Sequence, residues 1–252
     1  MISFVIPVYN EEEDIVETLR LLRQGVGDIP HEIIITDDGS TDATVEKVRG
    51  FADHVVRYRG ETPKTIGANR NRGAKVARFP ITMFLDSDVR IREPHVFFPK
   101  VLEHFASDPK LVAMTASVRV YPGTETLSDK VVLSFFDAYF RFANNVLKFG
   151  VTHGKCMIVR AETFVRVGGF QEHMAASEDA DLFIRLSKIG RTMLDPSLRI
   201  YFSGRRAHAV GWPALLTQWT LNGIWIVVFK RSYSDKWGRA DTPGKQTAPE
   251  GR

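Results

Sequence analysis

With 252 residues, 44% hydrophobic and 25% charged, the chain can bury one good-sized core and has the makeup of a globular protein. A formal net charge of +4 suits a polyanionic ligand or an anionic membrane surface and does not single out nucleic acid. The single cysteine, Cys156, excludes an intramolecular disulfide and a Cys-rich zinc site.

A lone cysteine agrees with a reducing cytoplasm. The opening Ile2-Ser3-Phe4-Val5-Ile6 lacks the basic flank and cleavage site of a signal peptide, so a cytoplasmic location, in solution or at the inner face of the membrane, is expected.

Taken in order, the first strand is expected over about residues 2–8. Asn10 with Glu13 resembles a capping box for a helix whose apolar face is Ile15, Val16, Leu19 and Leu22. A second strand, residues 32–36, runs into Asp37-Asp38-Gly39-Ser40-Thr41-Asp42, where Ser40 or Thr41 would cap the next helix. A short strand at 54–58 follows, then a helix around Gly67–Gly73 carrying Arg70 and Arg72. Next comes Ile81-Thr82-Met83-Phe84-Leu85, a buried strand that delivers Asp86-Ser87-Asp88 where it stops. Strands alternating with helices at this spacing argue an α/β fold with a parallel sheet in this half.

In such sheets ligands bind beyond the carboxyl ends of the strands. Three strand ends here carry polar clusters: Tyr9-Asn10-Glu11, Asp37-Asp38 and Asp86-x-Asp88. A single acidic strand end is an ordinary turn, but three at one sheet edge point to a pocket. Paired carboxylates call for a cation, and a hard divalent ion carrying phosphate is a natural one. Neither G-x-x-x-x-G-K-[ST] nor G-x-G-x-x-G follows the first strand, which excludes a P-loop and a dinucleotide fold.

These motifs, Val5 to Glu12, Asp37 to Asp42, Arg70-Asn71-x-Gly73 and Asp86-x-Asp88, resemble the family 2 inverting glycosyltransferases of the GT-A fold. Asn69, where the family commonly has Ala, is a small departure. The resemblance resumes at Gly168-Gly169-Phe170 followed by Glu178-Asp179, the way these enzymes present their catalytic acids, and covers about the first 210 residues. It implies a single GT-A domain over 1–211. Its mixed, mostly parallel sheet would join a Rossmann-like nucleotide-sugar half, 1–90, to an acceptor half, 91–211.

The expected roles follow. Pro7, Tyr9 and Glu11 form the nucleoside wall, Asp38 reads the base, and Asp37 meets the ribose or nearby backbone. Asp88, helped by Asp86 and with Ser87 between them, holds Mg²⁺ or Mn²⁺ against the diphosphate; Asp86 has the ribose or the donor sugar as its alternative. Arg70 fixes Asp86 or approaches the phosphates. Asp179 is the general base, and Glu178 orients the acceptor or positions the loop. His208 is expected at the metal or phosphate, and Arg205 and Arg206 at the phosphates. The partners would be a nucleotide-sugar donor and a glycan or lipid-linked acceptor, with no nucleic acid. A catalytically silent, sugar-binding scaffold is the competing reading.

In the acceptor half, a long helix at 127–148 carries Phe135, Phe136, Tyr139 and Phe140, read mainly as core; Phe142 and Phe149 lie off that face and suit an apolar acceptor. A last apolar helix, 212–232, is interrupted by Thr217, Gln218, Thr220 and Asn222, which argues against a full span. It is either docked on the sheet or interfacial, with Lys230, Arg231, Lys236 and Arg239 on anionic lipid. Residues 240–252 read as a disordered tail.

Overall fold

The structure, a computed structural model, describes residues 1–60 and 63–229; the basic residues 230–239 and the tail 240–252 lie outside them. One eight-stranded sheet organises the described residues, in the order β3-β2-β1-β4-β7-β6-β8-β5. Its first half is as expected: β1 (Ile2–Val8), β2 (His31–Asp37), β3 (His54–Arg57) and β4 (Ile81–Leu85) are parallel. The other half is mixed. β7 (Cys156–Arg160) runs antiparallel to both β4 and β6 (Leu111–Val120). β8 (Arg191–Phe202) is parallel to β6, and β5 (Arg90–Ile91) closes the edge antiparallel to β8.

Alternation along β1 divides the core, because successive side chains point to opposite faces. Phe4 and Ile6 join Leu19, Phe97 and Phe98 beneath α1 (Ile15–Val26) and α4 (Pro94–Ser107). Val5 joins Phe84, Phe170 and Phe183 on the other face, beneath α3 (Ile66–Ala74), α6 (Ala161–Arg166) and α7 (Glu178–Ser187). α3 approaches the sheet closely at Gly73, where a Cβ would stand 2.7 Å from Thr36 Cγ2. A third cluster, Val120, Leu133, Ala207, Trp212 and Leu215, lies where α5 (Leu127–Asn145), α8 (Arg205–Val210) and α9 (Trp212–Phe229) meet.

Two expected caps are replaced. α1 begins at Ile15 after an uncapped Asp14, because Asn10 is spent elsewhere. In the left-handed region at φ 54, Asn10 accepts the Thr41 N–H at 2.8 Å, while its own N–H donates to Ser40 Oγ. α2 (Thr44–Val48) is not capped by Ser40 or Thr41; Asp42 accepts the Thr44 N–H instead. The loops after β1 and β2 are thereby stitched into one rim.

The aromatic face of α5 departs from the core reading. Phe135 is 67% exposed, and Leu127, Val131, Tyr139, Phe142 and Val146 are exposed with it, at steps of three and four residues. α9 turns Trp212, Leu215, Trp219 and Ile226 to one side, at steps of three, four and seven residues, with Leu221 exposed on the other. Among the described residues, no helix is long and apolar enough to cross a membrane.

Candidate active site

One open cavity of about 1620 Å³ runs across the carboxyl ends of β1, β2 and β4. Of the residues selected from sequence, it gathers Pro7, Tyr9, Glu11, Asp38, Arg70, Asp86, Ser87, Asp88, Glu178, Asp179, Arg205 and Arg206. Two are elsewhere. Asp37 is fully buried and turned into its own loop, where it accepts the Ser40 N–H at 2.8 Å and lies 3.4 Å from Arg57 Nε. His208 faces away on α8 and pairs with Asp129 at 2.9 Å. Asp129 also caps α5 and accepts from Trp212 Nε1 at 2.7 Å. His208 is thus a fastener between helices, because the nearest buried carboxylate is on α5.

Arg70 is the hub. Fully desolvated on α3, its guanidinium donates to Asp86 Oδ1 at 2.9 Å, Glu178 Oε1 at 2.7 Å and the Gly154 carbonyl at 3.1 Å. It therefore fixes Asp86, as expected, and ties the end of β4 to the start of α7. A planar cationic fork suits that threefold task.

Glu178 and Asp179 open α7 after Ser177, a non-glycine residue at φ 59. Such backbone is uncommon and aims the two carboxylates into the cavity. Burial raises both their pKa values above the usual carboxylate range; for Glu178 the Asp179 charge adds to it and Arg70 opposes it. They differ in partners. Glu178 is ion-paired with Arg70, whereas Asp179 has no ion pair among the described residues, only the Ala180 N–H on Oδ1 at 2.9 Å. Asp179 Oδ2 lies against Gly154.

At the end of β4, Asp88 Oδ2 accepts from Ser203 Oγ at 2.5 Å and from the Ser203 N–H at 3.3 Å. Burial alone would raise the Asp88 pKa, but Lys155, Ser203 and Arg205 outweigh it and hold the carboxyl low. Arg205 spans the mouth, 3.1 Å from Glu11 and 3.2 Å from Asp14. Glu11 itself is raised by burial against the pull of Arg205. At the edge formed by the ends of β1 and β2, Lys64 sits 5.1 Å above the Tyr9 ring, and Arg72 holds Asp38 at 3.1 Å.

The arrangement does not fit the expected ion. Asp86 spends Oδ1 on Arg70, and its Oδ2 lies 2.9 Å from Lys155 Nζ, which is also 3.8 Å from Asp88 Oδ1. An ammonium stands where Mg²⁺ or Mn²⁺ would bridge the two aspartates, and His208 is withdrawn. Among the described residues no group of three His, Cys, Asp or Glu is placed to hold a metal ion.

Sequence reasoning missed Lys155, Lys64 and Ser203. Lys155 is found only through strand pairing: Leu85 lies opposite Cys156, so the Lys155 carbonyl accepts the Asp86 N–H at 3.2 Å. A Gly-Lys pair before a strand is too common to carry that signal.

The strand order and the helices on both faces of the sheet are those of a GT-A type fold. The model of glycosyl transferase family 2 matches residues 3–167, and the chain belongs to that family. Among curated relatives, the succinoglycan biosynthesis protein ExoA of Rhizobium meliloti (strain 1021) is 27% identical over 221 residues, covering 82% of this chain and 65% of that protein. The poly-beta-1,6-N-acetyl-D-glucosamine synthase of Staphylococcus epidermidis (strain ATCC 35984 / DSM 28319 / BCRC 17069 / CCUG 31568 / BM 3577 / RP62A) is 34% identical over 122 residues, covering 47% of this chain and 29% of that protein. The chain thus spans less than two thirds of the length of either. Among solved structures, mannosyltransferase PcManGT from Pyrobaculum calidifontis in complex with GDP-Man and Mn²⁺ has a TM-score of 0.67 at 19% identity, covering 87% of this chain and 61% of that one.

Proposed function

We propose that the chain is an inverting glycosyltransferase that moves a sugar from a nucleotide-diphosphate sugar to an acceptor hydroxyl or lipid phosphate. The observation that carries this reading is the cavity itself, which joins the acids Asp38, Asp86 and Asp88 to a half-buried carboxylate, Asp179, that has no ion pair among the described residues. Residues 1–90 would hold the donor and 91–211 the acceptor. Family membership and the UDP- and GDP-sugar complexes of structurally similar proteins support the donor class.

In this reading the acceptor oxygen attacks C1 of the sugar from the face opposite the diphosphate. The C1–phosphate oxygen bond breaks, and its electron pair leaves with the nucleoside diphosphate. Asp179 takes the acceptor hydroxyl proton on Oδ2, the oxygen not engaged by the Ala180 N–H. Burial raises the basicity of that carboxylate, which improves proton uptake near neutral pH. Glu178, locked by Arg70, positions the start of α7. Arg205 and Arg206 meet the departing phosphates. No step is assigned to a divalent ion, because Lys155 stands between the aspartates.

The acceptor side favours an apolar molecule. Beyond Asp179 the cavity is walled by Leu133, Phe136, Phe140, Phe149, Trp212 and Trp219. Tyr139 of the exposed α5 stripe also lines the cavity, and Phe136 on the same helix packs on Trp219 of α9. A bilayer surface would cover that stripe and present a lipid-linked acceptor to the cavity mouth.

Release of nucleoside diphosphate from a panel of UDP- and GDP-sugars tests the enzyme reading. Asp179→Asn should cut turnover by about 10² to 10⁴ while donor affinity stays. With a hydroxyl acceptor, turnover should rise with pH along a limb lying above the usual carboxylate range, since Asp179 must be ionised to accept the proton. An Asp179→Asn enzyme that binds donor poorly but turns over normally what it binds would refute the base assignment. Donor binding without turnover in the unaltered chain would favour the scaffold.

A further inference from the structure

We infer that Lys155 is a built-in cation of the donor site, taking the place of a divalent ion between Asp86 and Asp88 and supporting donor binding without metal. The inference rests on the donor-site reading above and assigns the diphosphate's counter-charge within it.

The placement is set by the backbone. Lys155 directly precedes β7, and its carbonyl accepts the Asp86 N–H at 3.2 Å, so Lys155 and Asp86 are neighbours on paired strands whatever the side chain does. Gly154, whose carbonyl receives Arg70, fixes the approach from the other side. The stem then passes the Phe202 ring, with Nζ 5.2 Å from its centroid. Nζ arrives 2.9 Å from Asp86 Oδ2 and 3.8 Å from Asp88 Oδ1. The side chain keeps 31% exposure and lines the cavity.

The valence of the ammonium fits this position. It carries three N–H donors and no acceptor. One is satisfied by Asp86, one is directed toward Asp88, and one remains for the cavity. Lysine binds phosphate as a compact point charge, and held between two anchored carboxylates it needs little reorganisation when a diphosphate arrives. The carboxylates are themselves fixed, Asp86 by Arg70 and Asp88 by Ser203. Arg205, 3.2 Å from the same Ser203 Oγ, supplies a second cation at the mouth.

A divalent ion entering the same space would have to expel the ammonium or sit within a few ångströms of it. Either course leaves unlike charges unpaired or like charges opposed in a half-buried site. The two cations are therefore alternatives.

The test measures UDP and GDP binding, by calorimetry on the full chain, after exhaustive EDTA treatment and again with saturating MnCl₂. The expected result is an affinity in EDTA within about twofold of that in MnCl₂ for the nucleotide that binds. Lys155→Met should lose about tenfold or more in EDTA, and MnCl₂ should restore part of the loss, since the freed carboxylates can then take the ion. Lys155→Arg, which keeps the charge, should bind within a few-fold of the parent. The unaltered chain needs no variant to fold: a loss of about tenfold or more in EDTA, reversed by MnCl₂, overturns the inference and leaves the donor-site reading standing. So does parental affinity in Lys155→Met. Binding of neither nucleotide in either condition overturns both.

Discussion

Replacing Gly154 by alanine should separate donor binding from chemistry. Gly154 has φ +73, and a Cβ there would overlap Asp179 Oδ2 and lie 3.2 Å from Asp179 Cγ. Holding alanine in that backbone conformation costs about 1–2 kcal/mol, which lowers the thermal midpoint of a chain this size by about 2–8 °C. The larger effect is local. The carboxylate must retreat by roughly 1 Å to restore an ordinary carbon–oxygen contact, and a displacement of that size costs about 10² in turnover, or about 2.7 kcal/mol of barrier. The Asp86 N–H bond to Lys155 and the Arg70 bond to Gly154 both use backbone carbonyls, so the donor end is unchanged and its affinity should stay within about twofold. Steady-state release of nucleoside diphosphate and calorimetric donor titration read the two quantities apart. Turnover within about threefold of the parent, or donor affinity falling in step with turnover, would refute the reasoning that Asp179 sits at the reacting oxygen.

Arg70→Met leaves Asp86 and Glu178 facing each other without their shared cation. It should cost about 3–5 kcal/mol in chemical denaturation, and a loss below about 1 kcal/mol would contradict the hub assignment. Burial alone would raise the Asp129 pKa, but hydrogen bonds from His208, Thr126 and Trp212 outweigh it and hold the group at about 2. Because that folded value lies below the unfolded one, its contribution, about 2 kcal/mol, is complete above the unfolded value of about 3.9 and is lost as pH falls toward 2. Asp129→Asn should flatten the acid limb of the unfolding curve, and an unchanged limb would rule this out. For the membrane face, salt-sensitive flotation with anionic liposomes is expected for the full chain, and Phe135→Glu, a change on an exposed position, should weaken it. Equal flotation of both chains would point away from α5.

The sequence by itself determined the parallel first half of the sheet. Buried strands ending in acids announce both their own direction and the edge where ligands gather, because β1, β2 and β4 read as short apolar runs and each is followed at once by polar residues. Glu178 and Asp179 were also legible, from the glycine pair and aromatic that precede them. Partners across the sheet were not. Lys155 becomes the neighbour of Asp86 only when β7 pairs antiparallel with β4, a register set by packing on both faces rather than by local pattern. A second non-local contact moved His208 to Asp129, whereas Asp37 is sealed inside its own turn by a local bond from the Ser40 N–H. The aromatic face of α5 is left outward: periodicity shows that an apolar stripe exists, but not what the stripe will be packed against.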